Sequence, residues 1–114
     1  MQAMEAAKLL SQAIQDSPEY QEFAKYKAEI DGDSGIKGLV QEYHRMQTAL
    51  QMRVLSGQGM DGEAQQRFQQ LSMLLFADQR TSSFLMAEMR MQQMMAGIFE
   101  ALTKASGLDL PTPM

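Results

Sequence analysis

Apolar residues recur along this chain at steps of three and four, the period of helices that each bury one face. From Gln2 to Gln15 that face is Ala6, Leu9, Leu10, Ala13 and Ile14, and the pattern stops at Asp16-Ser17-Pro18. Ser17 suits an N-cap, Pro18 the first helical position, and Glu19 and Glu22 the positive end of a dipole, so a second helix is expected to start here. Its face is Tyr20, Phe23, the stem of Lys27, and Ile30. The segment Asp31-Gly32-Asp33-Ser34-Gly35 ends it and caps a third helix over Ser34 to Ser56. There Ile36, Leu39, Tyr43, Met46, Leu50 and Val54 form a bundle seam. A glycine-rich loop, Ser56 to Gly62, leads to a fourth helix over Asp61 to Asp78, which faces inward through Ala64, Phe68, Leu71 and Leu75, with Met73 or Phe76 nearby. Around Gln79 to Ser83 the helix bends or breaks, because Thr81, Ser82 and Ser83 favour a cap.

The last helix, Ser82 to Ser106, carries more apolar surface than one core-facing stripe requires. At about 100° per residue, Met94, Ala87, Ile98, Met91, Phe84, Leu102, Met95 and Phe99 fall on one broad arc. Beyond a polar break at Glu88 and Gln92 lies a second apolar patch of Leu85, Ala96 and Met89. Exposed patches of that kind mark contact surfaces. The candidate protein interface is therefore Leu85, Glu88, Met89, Gln92, Met95, Ala96 and Phe99. Glu88 and Gln92, one turn apart, either fix register across a helix–helix contact or sit exposed at its rim. Gly97 could let another helix approach closely, or is simply tolerated at a cost of roughly 1 kcal/mol relative to alanine.

These elements predict an all-α fold, a bundle of four to five helices built on a long antiparallel hairpin in which the third and fifth helices pair. With 114 residues the chain reads as one helical domain over 1–107, followed by a Pro-containing tail over 108–114. The early acid and the missing apolar signal core argue for a cytoplasmic protein, and the absence of a long apolar run argues against a membrane span. A net charge of −4 opposes direct nucleic-acid binding, which needs clustered Lys and Arg. Zero cysteines exclude disulfides, thiolate metal sites and cysteine nucleophiles.

The amphipathic first helix, SPEYQEFAKYKAEI, LVQEYHRMQTALQMRVLSGQ and the closing FLMAEMRMQQMMAGIFEALTKASGLDL occur in an order that resembles the YlbF/YmcA family of small bacterial helical proteins. The resemblance implies a non-enzymatic regulatory subunit. It would assemble with its own kind or a related helical partner, in processes linked to RNase Y-dependent mRNA processing, competence, sporulation and biofilm formation. Some family complexes hold iron–sulfur clusters through cysteines; this cysteine-free chain offers no such ligand, so no cofactor is expected.

The residues themselves give no catalytic constellation. His44 is the single histidine, and nothing nearby in the sequence reads as the orienting group and pocket that a general base needs. Ser82 and Ser83 read as caps, and the glycines of SGQGMDG as a helix connection rather than a phosphate loop. Glu42 and His44 are two residues apart, not the three of a di-iron motif. Met86, Met89, Met91, Met94 and Met95 spread too far around the helix to converge on one soft metal ion, and read as an adaptable contact surface. The expected function is binding: a homo-oligomer, dimer or larger, serving as a regulatory or scaffolding subunit. A holdase or export-type chaperone with a Met-rich groove is the alternative.

Overall fold

The computed structural model describes residues 1–59 and 61–108; Met60 of the glycine-rich loop and the tail from Asp109 onward lie outside the described residues. The chain forms five helices: α1 (Ala3–Gln15), α2 (Pro18–Asp31), α3 (Ser34–Leu55), α4 (Gly62–Ala77) and α5 (Gln79–Ser106). The fold is all-α, as the periodicity requires. Two compact units divide it, one of residues 1–26 with 84 onward and one of 27–83, and α2 and α5 contribute to both.

Short polar side chains set the helix starts. The Ser17 hydroxyl accepts the Tyr20 N–H at 3.1 Å while donating to the Ile14 carbonyl at 2.6 Å, so one side chain closes α1 and opens α2. Asp33 caps α3 by accepting from the N–H groups of Gly35 and Ile36, and Asp61 caps α4 by accepting from that of Glu63. Gly57 and Gly107 take positive φ just past the ends of α3 and α5, where a side chain would be strained.

In the 27–83 unit, α3 packs against α4 as a helical hairpin, with Tyr43 stacked on Phe68 at 5.1 Å between ring centroids. The sequence pattern assigns α3's long hairpin to the fifth helix; inside this unit its partner is α4. The seam also differs by one step. Val40 is buried and Leu39 is exposed, because 36, 40 and 43 keep an inward heading on a helix, whereas Leu39 is rotated about 100° away from Val40. Val54 is exposed too. On α4, Leu75 is buried, while Met73 (74% exposed) and Phe76 face outward, since two residues or one residue from Leu75 turns a side chain off the inner face.

The break between α4 and α5 is a single extended residue, Asp78, three positions before the expected Ser/Thr cluster. Its carboxylate accepts the Arg80 N–H at 2.8 Å and so caps α5. That hydrogen bond lowers the Asp78 pKa, against an opposing desolvation effect and with help from the Arg80 guanidinium. Thr81, 1% exposed, donates its hydroxyl to the Leu75 carbonyl and lies 3.2 Å from that of Asp78. The Leu75 carbonyl belongs to the last turn of α4, where no intrahelical donor remains, so the hydroxyl satisfies a buried acceptor. Arg80 also bridges the carboxylates of Asp33 and Asp78 at 3.6 Å each, exposed pairs that contribute tenths of a kcal/mol.

Thr81→Val keeps the shape and removes the donor, so urea unfolding should show a loss of about 1–3 kcal/mol, with Thr81→Ser losing less. A loss indistinguishable from zero would remove the corner's hydroxyl from its assigned role. Asp78 has a folded pKa below its unfolded value of about 3.9. Its stabilising effect is therefore present above that pH and lost as pH falls through the folded value. The stability gap between wild type and Asp78→Asn should accordingly close on acidification below about pH 4, as followed by denaturation across a pH series.

Candidate association surface

The 1–26 and 84-onward unit brings α1, most of α2 and the greater part of α5 together. Phe23 of α2 stacks on Phe84 of α5 at 5.6 Å, and Arg90 reaches Glu22 at 2.6 Å. Phe84, Leu85 and Ala87 are buried. From Glu88 to Ser106 no side chain is buried, and none is in α1. Met91, Met94, Ile98 and Phe99 are half-buried, as are Leu10 and Ile14 of α1. The core of this unit is thus concentrated in one turn of α5.

The seven sequence-derived interface residues separate on this gradient. Leu85 is 5% exposed and belongs to the chain's own packing, so it leaves the candidate surface. It lies in the turn that Phe84 and Ala87 anchor, and the wheel alone could not distinguish a second inward residue from an outward one. Met89 (53%) and Met95 (37%) are exposed, as is Gln92. Glu88, Ala96 and Phe99 are half-buried along the same stretch. Each i, i+3 step from Met86 through Met89 and Gln92 to Met95 turns about 60° around α5, so the exposed methionines wind half-way round the helix, with Met89 between Met86 and Met95. Glu88 and Gln92 fall between Met89 and Met95 on that surface. Thioether side chains are flexible and polarizable, and suit a contact that must adapt its shape.

The sequence did not single out the outward apolar residues of the other unit. Met52, Val54 and Leu55 at the end of α3, and Met73, Leu74 and Phe76 on α4, are all exposed. The signal was available: Met73 and Phe76 share a face that Phe68 and Leu75 do not.

His44 is half-buried with its ring 6.1 Å from that of Tyr43, and Ser82 and Ser83 lie within α5. Among the described residues no three His, Asp or Glu side chains gather as a metal site. No helix among the described residues is long and apolar enough to cross a membrane.

Fold and surface together define a small helical protein that presents apolar helix faces. The chain belongs to the YlbF/YmcA family, described as control of competence regulator ComK, which it matches over residues 3–105. Among its relatives is a UPF0342 protein of Symbiobacterium thermophilum, 28% identical over 102 residues that cover 90% of this chain and 91% of the relative. A UPF0342 protein of Caldicellulosiruptor saccharolyticus is 25% identical over 99 residues, 87% of this chain and 82% of the relative. In solved structures, a protein of unknown function (DUF964) from Bacillus stearothermophilus superposes with a TM-score of 0.73 at 16% identity, covering 91% of both chains. That likeness concerns the fold.

Leu85→Ala should cost about 2–5 kcal/mol in chemical denaturation, the range for a buried leucine truncated in a packed core. A cost under about 0.5 kcal/mol, typical of surface positions, would return Leu85 to the outer face.

Proposed function

We propose that this protein is a non-enzymatic regulatory or scaffolding subunit that works by helix-mediated association, first with copies of itself and then with a related helical partner. One observation carries the reading: α5 beyond Ala87 and the whole of α1 hold no buried side chain, while Met86, Met89, Met95 and Leu102 stand exposed. Bringing a second helix over this apolar surface removes area from water, which is favourable at about 25 cal/mol per Å² before the costs of association. Family membership, with its description as control of competence regulator ComK, supports the regulatory role. RNase Y-dependent mRNA processing, sporulation and biofilm formation are the processes that the family resemblance suggests, in the cytoplasm and without a cofactor.

A chaperone reading has one observation in its favour: exposed methionines are spread over α3, α4 and α5 rather than confined to one strip. Adaptable Met surfaces accept varied apolar segments. A scaffold binds one partner at fixed stoichiometry, whereas a holdase suppresses the aggregation of many unfolded clients.

Sedimentation at micromolar concentration should report a dimer or larger species. Met89→Glu with Met95→Glu should dissociate it while leaving far-UV helicity intact, because both side chains are exposed within the chain. A wild type that stays monomeric throughout that range would defeat the self-association half of the reading.

A further inference from the structure

The α3–α4 hairpin lies wholly within the 27–83 unit and leaves an open groove of about 510 Å³ along its side. On the α3 wall, Glu42, Met46, Ala49 and Arg53 line it at steps of four, three and four. Leu39, 39% exposed, stands three residues earlier on the same heading. At about 100° per residue the five fall within an arc of about 80°, turned roughly 110° from the mean heading of Val40 and Tyr43, which serve the chain's own packing. Alternating steps of three and four are the spacing with which one helix seats against another. Leu39, Glu42 and Ala49 are exposed on this strip, and Met46 and Arg53 are half-buried. Leu39, which the inward face of α3 leaves out, thus has a place on a second face.

The order of residues along the strip indicates what fits it. Laid antiparallel on itself about a two-fold axis between positions 47 and 48, the strip sets Glu42 opposite Arg53 of the other copy and Met46 opposite its Ala49, each pair occurring twice. Opposite charges meet, and a long flexible side chain meets a small one. Ala49 also borders a shallower hollow of about 400 Å³ beside Thr48 and Met52, so there is room around it for a thioether. Leu39 reaches the end of the other α3 at Ser56. A parallel pairing about the same strip would set Glu42 on Glu42 and Arg53 on Arg53, so charge selects the antiparallel one. Leu71 and Leu74 of α4 form the facing wall of the groove and cover the flank of an incoming helix.

We propose that α3 packs antiparallel against α3 of a second copy of this chain, seated in the α3–α4 groove, with Glu42 paired to Arg53 and Met46 to Ala49 across a two-fold axis. Glu42 then lies between Arg45 of its own helix, which already holds it, and Arg53 of the other copy. Two hairpins that meet in this way form a four-helix bundle, which buries the open side of each. The proposal rests on the self-association reading and adds α3 to the α5 surface as a contact between copies.

Two charge reversals test it. Glu42→Arg and Arg53→Glu should each raise the self-association Kd by about tenfold or more in sedimentation, because each sets like charges together twice in the pair. Mixed in equal amounts, the two single variants should associate nearly as tightly as wild type, since in the mixed pair every substituted position meets the opposite charge. The Glu42→Arg/Arg53→Glu double variant should recover likewise, a rescue that independent surface effects do not produce. Ala49→Glu, at an exposed position, should weaken association by a similar factor, and it decides the case should Arg53→Glu lose helicity in far-UV circular dichroism. Single variants that associate like wild type, a mixture no tighter than its components, or an indifferent Ala49→Glu would overturn the proposal. Dissociation by Met89→Glu/Met95→Glu with indifference at positions 42, 49 and 53 would leave self-association standing and remove only this contact. A monomeric wild type would remove both.

Discussion

The corner between α4 and α5 is what the rest of the structure depends on. Among the described residues, five of the seven that are buried, Leu75, Thr81, Phe84, Leu85 and Ala87, fall within thirteen positions that straddle the single extended residue Asp78. A helix cannot change direction inside the protein without leaving carbonyls and amides unmet, and here two side chains meet them. Thr81 supplies a donor to the end of α4, and Asp78 supplies an acceptor to the start of α5. The polar atoms of the turn are satisfied locally, which lets Leu75 and Phe84 be buried on either side of it. The other two buried side chains among the described residues, Ile30 and Val40, sit near the equivalent junction of α2 and α3, where Asp33 provides the cap.

Much of this was legible in the sequence because it is local. Ser17-Pro18 and Asp33 announce helix starts through rules that hold within one turn, and the structure places caps at both. The inward faces of α2 and α4 follow from period alone at Ile30, Phe68 and Leu75. What escaped was anything that turns on a choice between adjacent residues. Leu39 and Val40 are both apolar and about 100° apart, and the pattern favoured the wrong one. The α4–α5 break was expected at the Ser/Thr cluster, but the side chain that caps α5 is an aspartate three residues earlier, while the threonine serves the preceding helix. Leu85 illustrates the same limit on the candidate surface. A wheel ranks directions around one helix and cannot tell how far the core of the fold reaches.

The surface itself shows how a short chain can have abundant apolar sequence and a small core. Five helices each bring an apolar face, but after the corner and the α3–α4 hairpin have taken Leu75, Val40 and their neighbours, the ends of α1, α3 and α5 keep methionine, leucine and valine in contact with water. Aromatic contacts reinforce the two units, Phe23 on Phe84 in one and Tyr43 on Phe68 in the other. A family whose description concerns the control of another regulator fits a molecule that offers apolar helix surfaces.

The uneven placement of buried side chains also sets a gradient of opening along α5. Its first turns hang on Thr81, Phe84, Leu85 and Ala87, whereas the nineteen residues from Glu88 to Ser106 have only half-buried and exposed neighbours to hold them. Backbone amides of such a segment open at a small fraction of the free energy needed to unfold the whole chain. Whatever binds there must first halt that breathing, so the distal half of α5 surrenders conformational entropy on contact and its amides become slow to exchange with solvent deuterium.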